Sequence, residues 1–213
     1  MTKLKASRES GYTLVEALVV MMIFGIIFTI IMGIIIQVSY SAADNMARTS
    51  QVQNAQLGLM QIDRQVRSGN VILDPASETT SNSGVEPGYS LRVFTQTDGV
   101  HQCVQWRVRL NSENRGVLEY RSWDPDWSIL GAEVTGWTVV ARDLTAPPQD
   151  QVPFQRTDVS REGSTSETSS VDVVIYIKAE RTKSAATAVK TTLTGRNTVY
   201  GYPIDRCDEV PVP

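Results

Sequence analysis

Gly11-Tyr12-Thr13-Leu14-Val15-Glu16, followed by the apolar run of residues 17–36, is the stretch that decides this chain's fold. Twenty such residues in a helix rise about 30 Å, the thickness of a bilayer's hydrocarbon. Glu16 stands at the mouth of the run. A carboxylate at the edge of hydrocarbon is costly to hold, so an ionisable residue there points by default to function. Upstream lies a short polar leader with Lys3, Lys5 and Arg8, whereas the near downstream flank has Asp44 before Arg48. The asymmetry predicts a cytoplasmic N-terminus, a single membrane span and export of everything after Gln37. Two plainer readings compete. A secretory signal peptide cut near Ser41-Ala42-Ala43 does not suit a run this long, because signal cores usually span roughly 7–15 residues. A simple signal anchor explains the length but leaves Gly11, Tyr12 and Glu16 as coincidences.

Residues 11–16 and the run behind them resemble the processing site of type IV prepilins and type II secretion pseudopilins. The resemblance implies that a prepilin peptidase cuts between Gly11 and Tyr12 and methylates the new amine of Tyr12. It implies that Glu16 is the assembly carboxylate, and that the partners are other pilins or pseudopilins and an inner-membrane assembly platform. The subunit would cross the cell membrane once and then enter an extracytoplasmic filament. Tyr12 departs from the family's usual phenylalanine but keeps an aromatic ring. The physics agrees. Glu16 near a helix start meets the positive end of the macrodipole. In low dielectric it still needs a partner, and the Tyr12 amine of a neighbouring subunit would supply one and set the register.

The chain has 213 residues, enough for one domain plus a long helix. Its formal net charge is −3; without residues 1–11 it holds 17 basic against 22 acidic residues, or −5. An acidic ectodomain argues against general nucleic-acid binding, which rests on a positive field. The two cysteines, Cys103 and Cys207, face an oxidising exterior and are expected to pair.

Beyond the membrane run, Val52, Ala55, Leu59, Ile62 and Val66 recur at steps of three and four on one stripe. The helix is therefore expected to continue to Ser68, with Ser68-Gly69-Asn70 as its stop and Gly69 free to adopt the left-handed terminal conformation. Residues 59–67 also look like the helix end of J-type minor pseudopilins and W-type minor pilins. After Asn70 the period becomes two. Residues 90–95, 103–110, 117–122, 133–143 and 171–181 read as strands, and 191–194 as a short closing segment. In 103–110, Val104, Trp106, Val108 and Leu110 alternate with Cys103, Gln105, Arg107 and Arg109, a half-buried strand with one polar face. Residues 75–87, 146–153 and 160–170 read as loops.

The expected organisation is a leader at 1–11, a transmembrane or filament-core helix at 12–36, an amphipathic continuation at 37–69 and a β-rich head at 70–213. The fold class is α+β, a long helix packed on an antiparallel sheet. Little in the chain suggests catalysis. His101 is the one histidine, zinc ligands are too few, and no phosphate-binding glycine loop occurs. Neither a cofactor nor a metal is expected. Asp124 and Asp126 within Trp123-Asp124-Pro125-Asp126-Trp127 could lend oxygens to calcium, but a proline turn with core tryptophans is the simpler reading. The expected function is a structural one, a minor pilin or pseudopilin of a pilus-like or secretion filament. The alternatives are a DNA-uptake pilus component, which a basic groove would mark, and a membrane-anchored extracytoplasmic enzyme or binding domain.

Overall fold

A computed structural model describes residues 13–131, 134–160, 167–178, 185–195, 205 and 207–211, in two compact units, Met1–Met46 and Ala47–Pro213. Helix α1, Leu14–Arg67, contributes to both. In the first unit its apolar side chains are exposed on every side, from Leu14 to Met46. A helix apolar all round needs cover from a membrane or from other helices. Two of its hydroxyls bond within the helix: Thr29 donates to the Gly25 carbonyl and Ser39 to that of Ile35, both at 2.8 Å. Internal pairing is what a helix in water-free surroundings requires.

In the second unit the same helix buries one stripe, Ala55, Leu59, Ile62 and Val66, as its periodicity predicts. That stripe packs on a sheet of eight strands. In chain order they are β1 (Gly69–Ile72), β2 (Ser90–Thr95), β3 (Gln102–Leu110), β4 (Arg115–Trp123), β5 (Thr138–Thr145), β6 (Phe154–Ser160), β7 (Glu167–Ile177) and β8 (Thr187–Thr194). Every pairing is antiparallel, in the order β1-β2-β3-β4-β5-β7-β6, with β8 also on β7. Register shifts between β1 and β2 and between β4 and β5 curl the sheet around the helix. The core between them joins the helical stripe to Leu91, Val93, Val104, Trp106, Leu118 and Ile175, among others. Each such side chain contributes roughly 1.5–3 kcal/mol by leaving water. The α+β architecture expected from the sequence is the one found.

Helix α1 stops for a reason other than the expected one. Gly69 is not among the glycines with positive φ. The Ser68 hydroxyl instead donates to the Arg64 carbonyl at 2.9 Å, and Thr95 Oγ1 donates to the Gln65 carbonyl at 3.2 Å, satisfying the helix end. Glycine is required at 69 by proximity, since a Cβ there would lie 2.6 Å from Val93 Cγ1.

The polar face of β3 is also not left to water. Arg92, Gln105, Arg107, Glu119 and Arg121 are all buried on the side opposite α1. The segment 73–90 folds over them and brings helix α2, Thr80–Ser83, whose last carbonyls act as acceptors. Arg107 Nη1 donates to the Ser83 carbonyl at 2.7 Å, and Arg121 Nη2 to that of Asn82 at 3.0 Å. Arg107 and Arg109 both grip Glu119, at 2.7 Å each, while Glu78 pairs with Arg92. The Trp137 ring covers the guanidiniums of Arg107 and Arg121 at 3.7 and 4.4 Å. Burial, reinforced by the charge of Arg107, lowers the Arg121 guanidinium to about 10. Burial also pushes the Glu119 carboxyl up, but its bonds and charge pairing with Arg109 and Arg107 outweigh that and hold it below the ordinary range.

Strand boundaries differ from expectation in several places. Strand β5 starts at Thr138 and not near 133, and β7 starts at Glu167, inside a stretch expected to be loop. Strands β1 and β6 come as additions, and β8 begins four residues before the closing segment foreseen at 191.

Candidate functional site

Gly11 and Tyr12 lie outside the described residues. The geometry next to them is defined. Thr13 caps α1: its carbonyl accepts the Ala17 N–H at 3.2 Å and its Oγ1 accepts the Glu16 N–H at 3.3 Å. One of the helix's four orphan N–H groups is thereby satisfied. Thr followed three residues later by Glu is the spacing of a capping box. The signal stands in the sequence, beside Glu16's favourable place at the positive end of the helix dipole. Glu16 is thus fixed in the first turn, with its side chain exposed and facing the positive end of the dipole. A carboxylate so placed, beside a helix of uncovered apolar side chains, can pair with a cation that arrives at the same depth.

The remaining sequence candidates have structural roles. Cys103 and Cys207 form a disulfide with a Cα–Cα distance of 5.7 Å, so neither is a thiol that His101 could activate. The bridge sits in a second apolar cluster with Val71, Phe94 and Trp123. The His101 ring lies 5.3 Å from that of Phe94. Asp124 Oδ1 accepts the Asp126 N–H at 2.8 Å, closing a local turn. Trp123 is core, and the Trp127 indole donates to the Glu209 carbonyl at 3.3 Å. Among the described residues no three His, Cys, Asp or Glu side chains are grouped to hold a metal.

Comparison with known families singles out the same end of the chain. A family model described as the prokaryotic N-terminal methylation motif matches residues 6–32. The matched stretch takes in Gly11, Tyr12, Thr13 and Glu16 and most of the apolar run, and none of the head. A motif of this kind supports a type IV pilin-like family and implies processing by a prepilin peptidase and assembly with other pilins. With the apolar helix beside it, it suggests a membrane-anchored pilin. No curated protein and no solved structure matches the chain.

Proposed function

We propose that this chain is a non-enzymatic structural subunit, a minor pilin or pseudopilin of a type IV pilus-like or type II secretion filament. The observation that carries the reading is the methylation motif at residues 6–32, on a helix whose apolar side chains are exposed on every side. In this account the leader 1–11 stays cytoplasmic, and the peptidase cuts between Gly11 and Tyr12 and methylates the Tyr12 amine. The helix over 12–36 holds the subunit in the membrane until the assembly platform lifts it into the filament. There the Tyr12 amine of one subunit meets Glu16 of the next. A charge pair in low dielectric rewards one register, because an unmet carboxylate or amine is costly there.

Thr13 adds a second constraint. By fixing the first turn it sets the angle at which Glu16 leaves the helix, so the carboxylate is oriented before a partner arrives. Of the minor-subunit types, the helix end at residues 59–67 favours the J- or W-type.

Glu16→Ala tests the proposal. The Glu16 N–H still donates to Thr13, so the cap survives, and a more apolar helix inserts at least as well. Cleavage persists, while filament incorporation, measured as sheared-filament subunit over total mature membrane protein, falls at least about tenfold. Parental incorporation by Glu16→Ala would remove Glu16 as the docking carboxylate.

A further inference from the structure

The chain is acidic as a whole, yet one cavity in the head has four cations in its lining against one carboxylate. It holds about 310 Å³ and is walled by Arg109, Arg115, Arg142 and Lys178, with Asn111 and a single carboxylate, Asp143. That volume is at the lower end for small-molecule sites. The charges are not equally committed. Arg109 is held by Glu119 at 2.7 Å, Arg115 lies 4.0 Å from Glu113, and Asp143 Oδ2 accepts from Gln51 Nε2 at 3.1 Å. The Arg142 and Lys178 side chains make no hydrogen bond or ion pair among the described residues, while Asp143, whose side-chain donor is the neutral Gln51 amide, keeps its negative charge beside them. Two uncommitted cations and one carboxylate therefore face one cavity.

The frame carrying them is fixed by hydrogen bonds. Asn111 Oδ1 accepts the N–H groups of Glu113 and Arg115 at 3.0 and 2.9 Å, closing the β3–β4 turn. Gly116 allows that turn its tightness, since a Cβ there would lie 2.8 Å from the Arg109 carbonyl oxygen. Asn114 and Asp143 both adopt left-handed backbone, at φ 58° and 62°. Each is locked: the Asn114 carbonyl accepts the Ala146 N–H at 3.1 Å, and the Asp143 carbonyl accepts the Lys178 N–H at 3.0 Å. The second bond ties Arg142, on β5, and Lys178, the residue after β7, to one another's position.

We propose that this cavity binds a terminal phosphate, a phosphomonoester dianion. Charge matching selects it. Arg107, Arg109, Arg115, Arg142 and Lys178 stand against the carboxylates of Glu113, Glu119 and Asp143, five positive charges to three negative, and a phosphomonoester, at about −1.5 to −2 at neutral pH, matches that surplus better than a carboxylate or a phosphodiester at about −1. Guanidinium forks suit a phosphate's paired oxygens, and a lysine adds a mobile point charge. Such a group could come from a soluble metabolite or from the headgroup of a phosphomonoester lipid.

The test uses the full chain in phosphatidylcholine nanodiscs at low salt, with inorganic phosphate as the probe and calorimetry as the readout. Saturable, submillimolar binding is expected, with acetate at least about tenfold weaker. Arg142→Gln combined with Lys178→Gln should weaken phosphate binding by at least about tenfold. Both side chains are exposed, so the fold should persist, which an unchanged near-ultraviolet circular dichroism spectrum checks. Lys190→Gln, elsewhere on the head, should leave binding unchanged. Competition by phosphatidic acid placed in the disc assigns the lipid source, and competition by glucose 6-phosphate the soluble one. Absence of saturable binding, equal binding of acetate, binding retained by the double variant, or preference for a phosphodiester oligonucleotide would each overturn the proposal.

Discussion

Helix α1 has two halves that solve opposite problems with one backbone. Over residues 17–36 its side chains are apolar on all sides and exposed, whereas from Ala47 to Arg67 it buries a single stripe against its own sheet. The second half is stabilised by what the chain itself supplies, Leu118, Trp106 and Ile175 among them. The first half must take its cover from outside. The difference teaches that exposure in an isolated subunit is itself information: a stretch with nowhere to bury its surface is built for a surrounding that only the membrane or an assembly provides.

The sharpest way to break that comparison is the same charge placed in each half. Ile62 is fully buried, and Ile62→Asp sets an unpaired carboxylate in the head's core, costing about 4–5 kcal/mol or more. Cooperative melting of the head should be lost. Ile30→Asp should leave that melting unchanged but hinder insertion, with a cost of about 2.5–3.5 kcal/mol at the centre of a span. Equal effects of the two substitutions on thermal unfolding would erase the distinction.

A smaller effect is expected at the disulfide, which closes a loop with a sequence separation of 104 residues and pins the tail against Val71, Phe94 and Trp123. Cys103→Ser should destabilise the head by about 2–5 kcal/mol and free Cys207 for thiol labelling. Membrane insertion should not change. Two titratable thiols in the unreduced parent would contradict the bridge.

The smallest effect separates the two faces of the sheet. The Glu119 carboxyl is held below its ordinary value by Arg109 and Arg107 after burial is overcome, so it contributes stability above that ordinary value. The contribution is lost as pH falls through the folded value. The stability deficit of Glu119→Gln against the parent should therefore be full near pH 7 and should close below about pH 4.5, as followed by thermal melts. A deficit of the same size at about pH 3 and about pH 7 would show that the carboxylate's charge is not what matters.

Local pattern carried much of this molecule. The stripe Ala55, Leu59, Ile62 and Val66 was legible because helical period places those residues together whatever lies opposite. Strands β2, β3 and β4 were legible because period-two alternation is likewise local. The buried arginine layer was not, since what covers Arg107 and Arg121 is Trp137 and the carbonyls of Asn82 and Ser83, contacts that no local window contains. Strand β1 is four residues long and is defined by pairing with β2, and β6 shows one buried aromatic, Phe154, among polar neighbours. At the N-terminus Glu16 stood out because a charge beside an apolar run is rare. Its cap, Thr13, was written just as openly but answers to another rule, helix initiation.

The site of cleavage separates a pilin from any other single-pass protein. Co-expression with a prepilin peptidase, followed by intact mass and N-terminal sequencing of the membrane fraction, reads this directly. The proposal predicts a mature chain that begins with N-methylated Tyr12, and no such product from Gly11→Leu. A chain beginning near Asp44, or one left uncut with the peptidase present, would contradict it.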